Sequence, residues 1–308
     1  MVDPVTAHVV RTDAPVRLVE YAKAHLVVVP VAAVGELVAR GRIRIADVRA
    51  STTRAVVGDG DALAVTAEDL AAAAPLLPQS LALVVAHEDA DVLVVDKPAG
   101  MHVHPLGPHR TDTLLNALLW HAGARPDEPW GAWRPAAAHR LDRAASGLLV
   151  VAKHAVAHDT LRRAFACGGI TRRYVAIVQG DVCGDAGTID APLDRDPRAP
   201  YRRAVVVGGQ AAVTHWRVVA RCGAYTELEL ELQTGRTHQI RAHLASIGHP
   251  IANDTLYASD APGPAGVDSA AQIALHACEL ILHHPRTNAR IVWRAPPPPG
   301  FRARSFPP

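Results

Sequence analysis

Apolar and polar residues alternate with a period of two between positions 204 and 232. The alternation is clearest over 226–232, where threonine and leucine are separated by glutamates. Such a pattern is typical of antiparallel strands that bury one face, and the glycines at 208–209 indicate a turn. Short apolar runs predict further strands at 91–95, 148–152 and 173–178.

Three other segments repeat apolar residues at the spacing of a helix face. The leucines of 111–120 share one face, and we expect Thr111 or Asp112 to be the N-cap of this helix. A second helix is predicted over 154–167, where two glycines stop it, and a third over 237–247.

Length and charge limit the class of protein. The chain has 308 residues, of which 49% are hydrophobic and 4% aromatic, so alanine, valine and leucine must fill a core large enough for two domains. The formal net charge is only +2, and a surface for nucleic acid would therefore need clustered cations. Arginine pairs do occur in the second half, at 162–163, 172–173 and 202–203, although each pair alone is more typical of a solvated surface.

Cysteine spacing and hydropathy exclude several other classes. The cysteines lie far apart, which favours reduced thiols in a cytoplasmic protein over a disulfide framework or a zinc site: Cys167, Cys183, Cys222 and Cys278. His238 and His243 are five positions apart rather than the four of a helical zinc pair, so we expect no metal site. We also expect no signal peptide and no membrane span, because His25 and Pro30 interrupt the longest apolar run.

A single carboxylate between two arginines is the strongest candidate for chemistry. Asp142 lies between Arg140 and Arg143, just before a predicted strand. Neighbouring guanidinium charges favour the ionised carboxylate, and a strand edge holds a reactive group rigidly. Guanidinium groups also match the geometry of phosphate. For the tetrapeptide 140–143 taken alone, the alternative to a catalytic role of Asp142 is a structural ion pair.

The sequence around Asp142 resembles the HRLD signature of the RluA-type pseudouridine synthase family. Further segments resemble motifs of that family in the same order: DKPAGMHVHP at 96–105, RYVAIVQG at 173–180, TGRTHQIRAHL at 234–244, and shorter matches at 248–257 and 275–285. These matches cover roughly residues 83 to 295. Chance agreement in this order is improbable, and we identify the chain as a member of the family by this resemblance.

The resemblance implies an enzyme that flips uridines out of structured ribosomal or transfer RNA and isomerises them to pseudouridine without a cofactor. Asp142 would be the catalytic carboxylate, either attacking ribose C1′ or removing the C2′ proton. Tyr174 would pack against uracil and help to remove the C5 proton, and Arg236 would pair with Asp142. Residues that would hold the RNA are His139, Arg140, Arg143, Lys97 and Arg241.

The chain departs from the family pattern directly after this carboxylate. Ala144 and Ala145 stand where the family usually has aspartate and threonine. The change removes a carboxylate and a hydroxyl beside the site. Because Asp142 itself is retained, we expect activity to be retained.

The resemblance also implies an α+β fold, with a central mixed, mainly antiparallel sheet flanked by helices. We predict a degenerate S4-like α+β module over 1–67, a linker over 68–80, the catalytic domain over 81–300 and a loose tail over 301–308. S4 modules usually contain a basic helix, and few basic residues are available for it here. RNA binding by the module and a purely structural appendage therefore both stay open.

Two other functions are compatible with the residues. One is a non-catalytic RNA-binding protein that keeps the synthase fold. The other is a glycoside or nucleoside hydrolase, which would need a second carboxylate near Asp142, and the matched motifs contain none. The sequence does not choose between ribosomal and transfer RNA, and we expect a monomer.

Overall fold

A computed structural model of the chain describes residues 5–73, 76–106, 110–125, 128–258 and 272–301. The helices are α1 (Leu18–His25), α2 (Val31–Ala39), α3 (Ala67–Ala72), α4 (Leu114–His121), α5 (Ala155–Ala166) and α6 (Gln239–Ser246). The first nine strands are β1 (Val5–Val9), β2 (Val16–Arg17), β3 (Ile43–Ile45), β4 (Val48–Arg49), β5 (Val56–Val57), β6 (Ala62–Thr66), β7 (Val84–Glu88), β8 (Val92–Lys97) and β9 (Ala136–Ala137). The remaining strands are β10 (Ser146–Ala152), β11 (Thr171–Gln179), β12 (Ala186–Asp190), β13 (Leu193–Asp196), β14 (Ala199–Val205), β15 (Val213–Cys222), β16 (Tyr225–Leu232), β17 (Leu275–His283) and β18 (Arg290–Arg294).

A ten-stranded sheet forms the centre of the fold. Its strands follow the order β12-β15-β16-β11-β17-β10-β8-β7, with β9 beside β10 and β18 beside β17. β10 runs parallel to β17. The other pairs with a given register are antiparallel: β7–β8, β11–β16, β11–β17, β12–β15, β15–β16 and β17–β18. The predicted mixed, mainly antiparallel sheet of an α+β fold is therefore confirmed.

The central strands are buried along their length. All seven residues of β10 are buried, and Val92–Val95 of β8 are completely so. A continuous apolar run, in place of alternation, is typical of a strand covered on both faces. The buried start of β10 therefore holds the end of the preceding loop in place.

Two predicted helix boundaries need correction. The N-cap of α4 is Thr113, whose side chain accepts a hydrogen bond from the Asn116 backbone while the Asn116 side chain accepts one from the Thr113 backbone. Asp112 has a left-handed φ of 57° and donates its N–H to the Gln79 side chain instead. The predicted third helix begins at Gln239 rather than 237, because His238 has a φ of 54°.

The chain divides into two compact units. One comprises Met1–Leu83, His102–Ala136 and Ala152–His158, and its four-stranded sheet has the order β1-β6-β3-β4. The other comprises Val84–Met101, Ala137–Val151 and Asp159–Pro308, and contains every predicted site residue.

The predicted S4-like module over 1–67, linker over 68–80 and catalytic domain over 81–300 stay predictions. The predicted loose tail begins at Phe301, which is in fact buried, packing edge-on against His276 at 6.1 Å between ring centroids. Residues 302–308 lie outside the described part of the chain. Among the described helices, none is long and apolar enough to cross a membrane.

Candidate active site

Asp142 lies in a turn directly before β10. The Ala145 N–H donates to the Asp142 carbonyl at 3.2 Å, and β10 begins at the next residue. The Asp142 side chain keeps 21% of its surface exposed. The carboxylate is therefore held at the end of a buried strand and still open to a ligand.

Arg241 of α6 joins Asp142 to a second carboxylate. Its Nη1 donates to Asp142 Oδ2 at 3.3 Å, and its Nε and Nη2 donate to the two oxygens of Asp254 at 2.7 and 2.8 Å. Arg241 is 6% exposed and Asp254 fully buried. Burial alone would lower the pKa of Arg241, but the hydrogen bonds and charges of Asp254, and then of Asp142, raise it. One guanidinium thus fixes the Asp142 side chain from inside the protein.

Arg236, which the sequence predicted as the partner of Asp142, lies elsewhere. Its exposed side chain donates Nε–H to the Ala211 carbonyl at 3.1 Å. The predicted pairing is therefore wrong, and Arg241, predicted to bind RNA, takes that place. Arg236 precedes the first turn of α6, whereas Arg241 lies within the helix on its buried side.

Tyr174 of β11 lies within electrostatic range of Asp142. It is 5% exposed and lies at an irregularity in the pairing of β11 with β17, between Arg173 and Tyr174. Burial raises the pKa of Tyr174 to about 12, the Arg172 charge opposes this rise and the Asp142 charge adds to it. The phenol therefore stays protonated at neutral pH.

Sequence reasoning gave no role to two further residues of the site. Asp254 forms the two-pronged contact with Arg241. Tyr257 lies with its ring centroid 5.0 Å from the Arg241 guanidinium, and its hydroxyl is 3.1 Å from Nδ1 of His238. Burial raises the pKa of Tyr257 to about 12 and lowers the pKa of His238. Asp254 and Tyr257 both lie in the segment 248–257, whose resemblance to a family motif is the sequence signal for them.

Lys97, predicted to bind RNA, is completely buried. Its Nζ lies within hydrogen-bond distance of the carbonyl oxygens of Pro98 at 2.8 Å, Met101 at 3.0 Å, Arg143 at 3.4 Å and Ala145 at 2.7 Å. Burial lowers the pKa of Lys97 to about 7, against the charges of Asp142 and Asp96. An RNA contact is therefore wrong for this residue, which instead ties the loop after Asp142 to the loop after β8.

Arg140 and Arg143 are exposed on either side of Asp142. Arg143 and Gly100 exchange two hydrogen bonds, from the Gly100 N–H to the Arg143 carbonyl at 2.7 Å and from Arg143 Nε to the Gly100 carbonyl at 3.0 Å. Arg140 Nη2 donates to Thr237 Oγ1 at 3.3 Å. Both guanidinium groups keep further N–H donors at the surface.

His139 has its ring turned inward. Nε2 accepts the Val150 N–H at 3.2 Å, and Nδ1 is buried with no hydrogen-bond partner in the described structure. The ring packs against Phe165 at 4.8 Å between centroids. Burial, and then the Arg172 charge, lower the pKa of His139 to about 3. The RNA contact predicted for His139 stays a prediction, and the observed contacts tie it to β10.

Two of the arginine pairs noted in the sequence, 172–173 on β11 and 202–203 on β14, are divided by the strands that carry them, whereas the pair at 162–163 lies in α5. Arg173 is bonded to Glu231 at 2.9 Å and to Glu279 at 2.7 Å, and Arg202 to Asp196 at 2.7 Å. Successive residues of a strand point to opposite faces. One member of each of these two strand pairs is therefore neutralised within the protein, which leaves Arg172 and Arg203 for other contacts.

Asp89, Asp91 and His284 form a cluster that could in principle hold a metal ion. However, Nδ1 of His284 accepts the N–H groups of Arg286 and Thr287, so its proton resides on Nε2, which donates to Asp89 at 3.0 Å. Arg286 also pairs with Asp91 at 2.7 Å. The imidazole has no lone pair left for a cation, and we assign no metal to this cluster.

Comparisons with known proteins agree with the motif order. The family model described as RNA pseudouridylate synthase matches residues 91–246. The chain is 41% identical over 239 residues to the uncharacterized RNA pseudouridine synthase YlyB of Bacillus subtilis, a match that covers 78% of this chain and 77% of that protein. It is 39% identical over 260 residues to the ribosomal large subunit pseudouridine synthase D of Nitrosomonas europaea, with coverages of 83% and 74%. For the protein of the same name from Pseudomonas aeruginosa, the identity is 40% over 256 residues, with coverages of 80% and 78%.

Solved structures share the fold. Human RNA pseudouridylate synthase domain containing 1 superposes with a TM-score of 0.58 at 22% identity, over 71% of this chain and 85% of that one. Human RNA pseudouridylate synthase domain containing 4 gives 0.55 at 23% identity, over 71% and 90%. With the family model and the relatives at about 40% identity, these findings show that the chain belongs to the RluA-type RNA pseudouridylate synthase family and is an RNA-modifying isomerase.

Proposed function

We propose that this synthase isomerises uridines of large-subunit ribosomal RNA, with Asp142 as the carboxylate that acts on the ribose. The observation that carries the proposal is the geometry of Asp142. Its side chain is partly open at the start of a buried strand, is paired from inside with Arg241 and lies within electrostatic range of the buried Tyr174.

The reaction rearranges one nucleoside without adding or removing atoms overall. The C1′–N1 bond breaks, the uracil turns, a C1′–C5 bond forms, and the proton on C5 leaves while N1 gains one. No redox partner or activated donor is required. A carboxylate beside the ribose supports two routes that both stay open, attack on C1′ or removal of the C2′ proton to give a glycal.

The other groups around Asp142 have complementary roles in this proposal. Arg241 is a positioning residue, because it contacts Asp142 from the protein interior and is itself held by Asp254. Tyr174 packs against the flipped uracil. Its pKa of about 12 makes the phenol a hydrogen-bond donor rather than a ready base at neutral pH. The predicted help of Tyr174 in removing the C5 proton therefore needs a base that accepts from the phenol.

Arg140 and Arg143 would hold the RNA strand in this proposal, and their exposure on either side of Asp142 supports that role. The target base must leave its stack, at a cost of a few kcal/mol. Charge-assisted contacts of guanidinium groups with the flanking phosphates offset that cost.

The choice of RNA follows the relatives. The proteins from Nitrosomonas europaea and Pseudomonas aeruginosa carry the name ribosomal large subunit pseudouridine synthase. We infer the same substrate class here, acted on in the cytoplasm by a monomer. Transfer RNA is the alternative substrate. Mapping pseudouridine in total RNA from cells with and without the protein separates the two, and loss of sites confined to transfer RNA would contradict the ribosomal assignment.

Release of tritium from RNA labelled at uridine C5 tests the role of Asp142. Asp142→Asn keeps the shape of the side chain and should lower the rate of release by at least about a hundredfold, because no carboxylate remains to act on the ribose. Its RNA affinity should stay within about threefold of wild type. Asp159→Asn on α5, an exposed carboxylate, is the matched control and should release label at the wild-type rate.

Three outcomes would contradict the assignment. Substantial release by Asp142→Asn would remove Asp142 from the chemistry. Absence of release by the wild-type protein on every ribosomal and transfer RNA would support a non-catalytic RNA-binding protein. Free uracil among the products would indicate a hydrolase.

A further inference from the structure

A polar cavity lies beside the site that contains Asp142. Its volume is about 130 Å³, which is room for several water molecules. It is lined by Leu193, Arg203, Gln210, Gly235, Arg236 and Thr237. Two guanidinium groups, an amide and a hydroxyl in so small a space are donors suited to a tetrahedral oxyanion.

The positive charge of this cavity is hardly neutralised by the protein. The hydrogen bond of Arg236 goes to the neutral Ala211 carbonyl, and no carboxylate of the described residues lies within 4.0 Å of its guanidinium. Among the described residues, Arg203 has one ion pair, with Asp194 at 3.6 Å, and the Asp194 side chain is 54% exposed. An exposed pair at that distance contributes little. Both arginines therefore remain available to an anion.

The hairpin that carries Arg203 places a further cation beside it. In the register of β13 and β14, Arg195 stands directly opposite Arg203. Like charges in directly opposed positions destabilise a strand pair. The fold accepts this repulsion next to the cavity, and a bound polyanion would relieve it.

Two paths of contacts connect the cavity with Asp142. The Arg203 N–H donates to the Tyr257 hydroxyl at 2.7 Å, and the Tyr257 ring lies against Arg241, the partner of Asp142. On the other path, Arg140 donates to Thr237 in the cavity wall. The cavity is thus held in fixed relation to the reacting carboxylate.

We propose that this cavity binds a backbone phosphate of the RNA strand whose uridine reacts at Asp142, with Arg203 and Arg236 as its ligands. The proposal rests on the proposed function, since it names how the same site grips its substrate. The catalytic carboxylate and the phosphate subsite would together fix the strand at two points. Arg236 would then contribute to binding and not to the chemical step.

The test measures RNA affinity against salt concentration, with overlapping transcripts of large-subunit ribosomal RNA as probes. Each of Arg203→Gln and Arg236→Gln should weaken binding about tenfold and reduce the slope of log K against log salt by about 1. Single-turnover tritium release by both variants should fall at subsaturating RNA in proportion to the lost affinity, and a higher RNA concentration should restore it. Arg217→Gln is the control, because this arginine is also exposed but already paired with Glu229, and its slope should not change.

A second measurement does not depend on RNA. Inorganic phosphate added to the free protein should shift the ¹⁵Nε–H signals of Arg203 and Arg236 and leave that of Arg217 unchanged. Equal thermal unfolding temperatures for the three variants would show that each is folded. Arg236→Lys, which keeps the charge and loses the two-pronged donor, should show an intermediate affinity.

Failure of this subsite is distinguishable from failure of the proposed function. Unchanged salt slopes for Arg203→Gln and Arg236→Gln would overturn the subsite, while loss of release in Asp142→Asn would leave the function standing. A fall of more than tenfold in saturated turnover with unchanged affinity would also overturn the subsite, because Arg236 would then act in the chemistry.

Discussion

At the scale of single residues, burial separates the cations that act inside the protein from those that can meet RNA. Lys97 and Arg241 are both basic residues of matched motifs, and both are buried against acceptors of the protein. Arg140 and Arg236 are exposed. All four residues are basic, so residue type alone does not say which of them binds RNA. Their burial and hydrogen-bond partners distinguish them.

Lys97→Met tests the corrected role of the buried Lys97 side chain. The substitution leaves the carbonyl oxygens of Pro98, Met101 and Ala145 without their donor, and we expect a loss of about 3 kcal/mol of unfolding free energy. RNA affinity should stay within about twofold of wild type, measured at a temperature at which the variant is folded. Arg143→Met is the contrasting variant, because its exposed guanidinium should contribute to affinity. A large loss of affinity in Lys97→Met at full stability would restore the RNA-binding assignment.

His139 makes the folded protein sensitive to acid. Burial lowers its pKa to about 3, below the ordinary value of 6.5, so between these two pH values the unfolded chain binds a proton that the folded chain does not. Unfolding free energy therefore falls as the pH is lowered through this window, and the penalty is complete below about pH 3. His139→Gln keeps an acceptor for the Val150 N–H and does not titrate. Its denaturant midpoint should fall less steeply with acid than that of wild type, and parallel curves would contradict this account.

At the scale of elements, the site depends on how β10 meets β17. Gly147 has a φ of 118° and stands opposite Ala277 in the parallel pair. A Cβ at Gly147 would fall on the backbone of Ala277. Glycine therefore permits the close approach that places the end of β10, and with it Asp142, beside the central strand.

Gly147→Ala should lower the unfolding free energy by about 3 kcal/mol, since both an unfavourable φ and a clash with backbone oppose it. Gly184→Ala is the matched control, because Gly184 also has a positive φ, of 82°, and nothing lies within 4 Å of its added Cβ. That control should lose only about 1 kcal/mol. Equal losses in denaturant unfolding would show that the close approach to Ala277 is not the source of the strain.

At the scale of the whole molecule, charge and core are both distributed unevenly. The net charge is only +2, yet the acidic side chains on the sheet gather around Arg173, Arg217 and Arg294. The exposed arginines near Asp142 therefore remain available to bind an anion.

The core of the first unit joins segments that are distant in the chain, since Leu119, Ala124 and Trp130 pack with residues from 10 to 70.

A protein that lacks residues 1–67 should therefore not keep its remaining core intact. Leu119 and Trp130, which are 1% and 2% exposed, would lose their cover. We expect binding of a hydrophobic dye and a lower yield of soluble protein, because large apolar patches on a surface promote association. The same deletion with Leu119→Gln and Trp130→Gln should bind less dye. A truncated protein with full solubility and no dye binding would favour the independent module predicted from the sequence.

The sequence by itself determined the periodicity of the main strands and helices, the family and the position of the candidate carboxylate. These follow from local spacing and from motifs that are continuous in the chain, as in 139–151 and 234–244. The tertiary structure decided which arginine meets Asp142, that Lys97 is enclosed, and that Arg203 and Arg236 share a cavity. Asp142 and Arg241 are 99 positions apart, and their contact depends on where β10 and α6 are packed rather than on any local pattern. Burial and pairing of charged groups are properties of that packing, which is why the roles that the family resemblance implied for Arg236, Arg241 and Lys97 differ from their observed contacts.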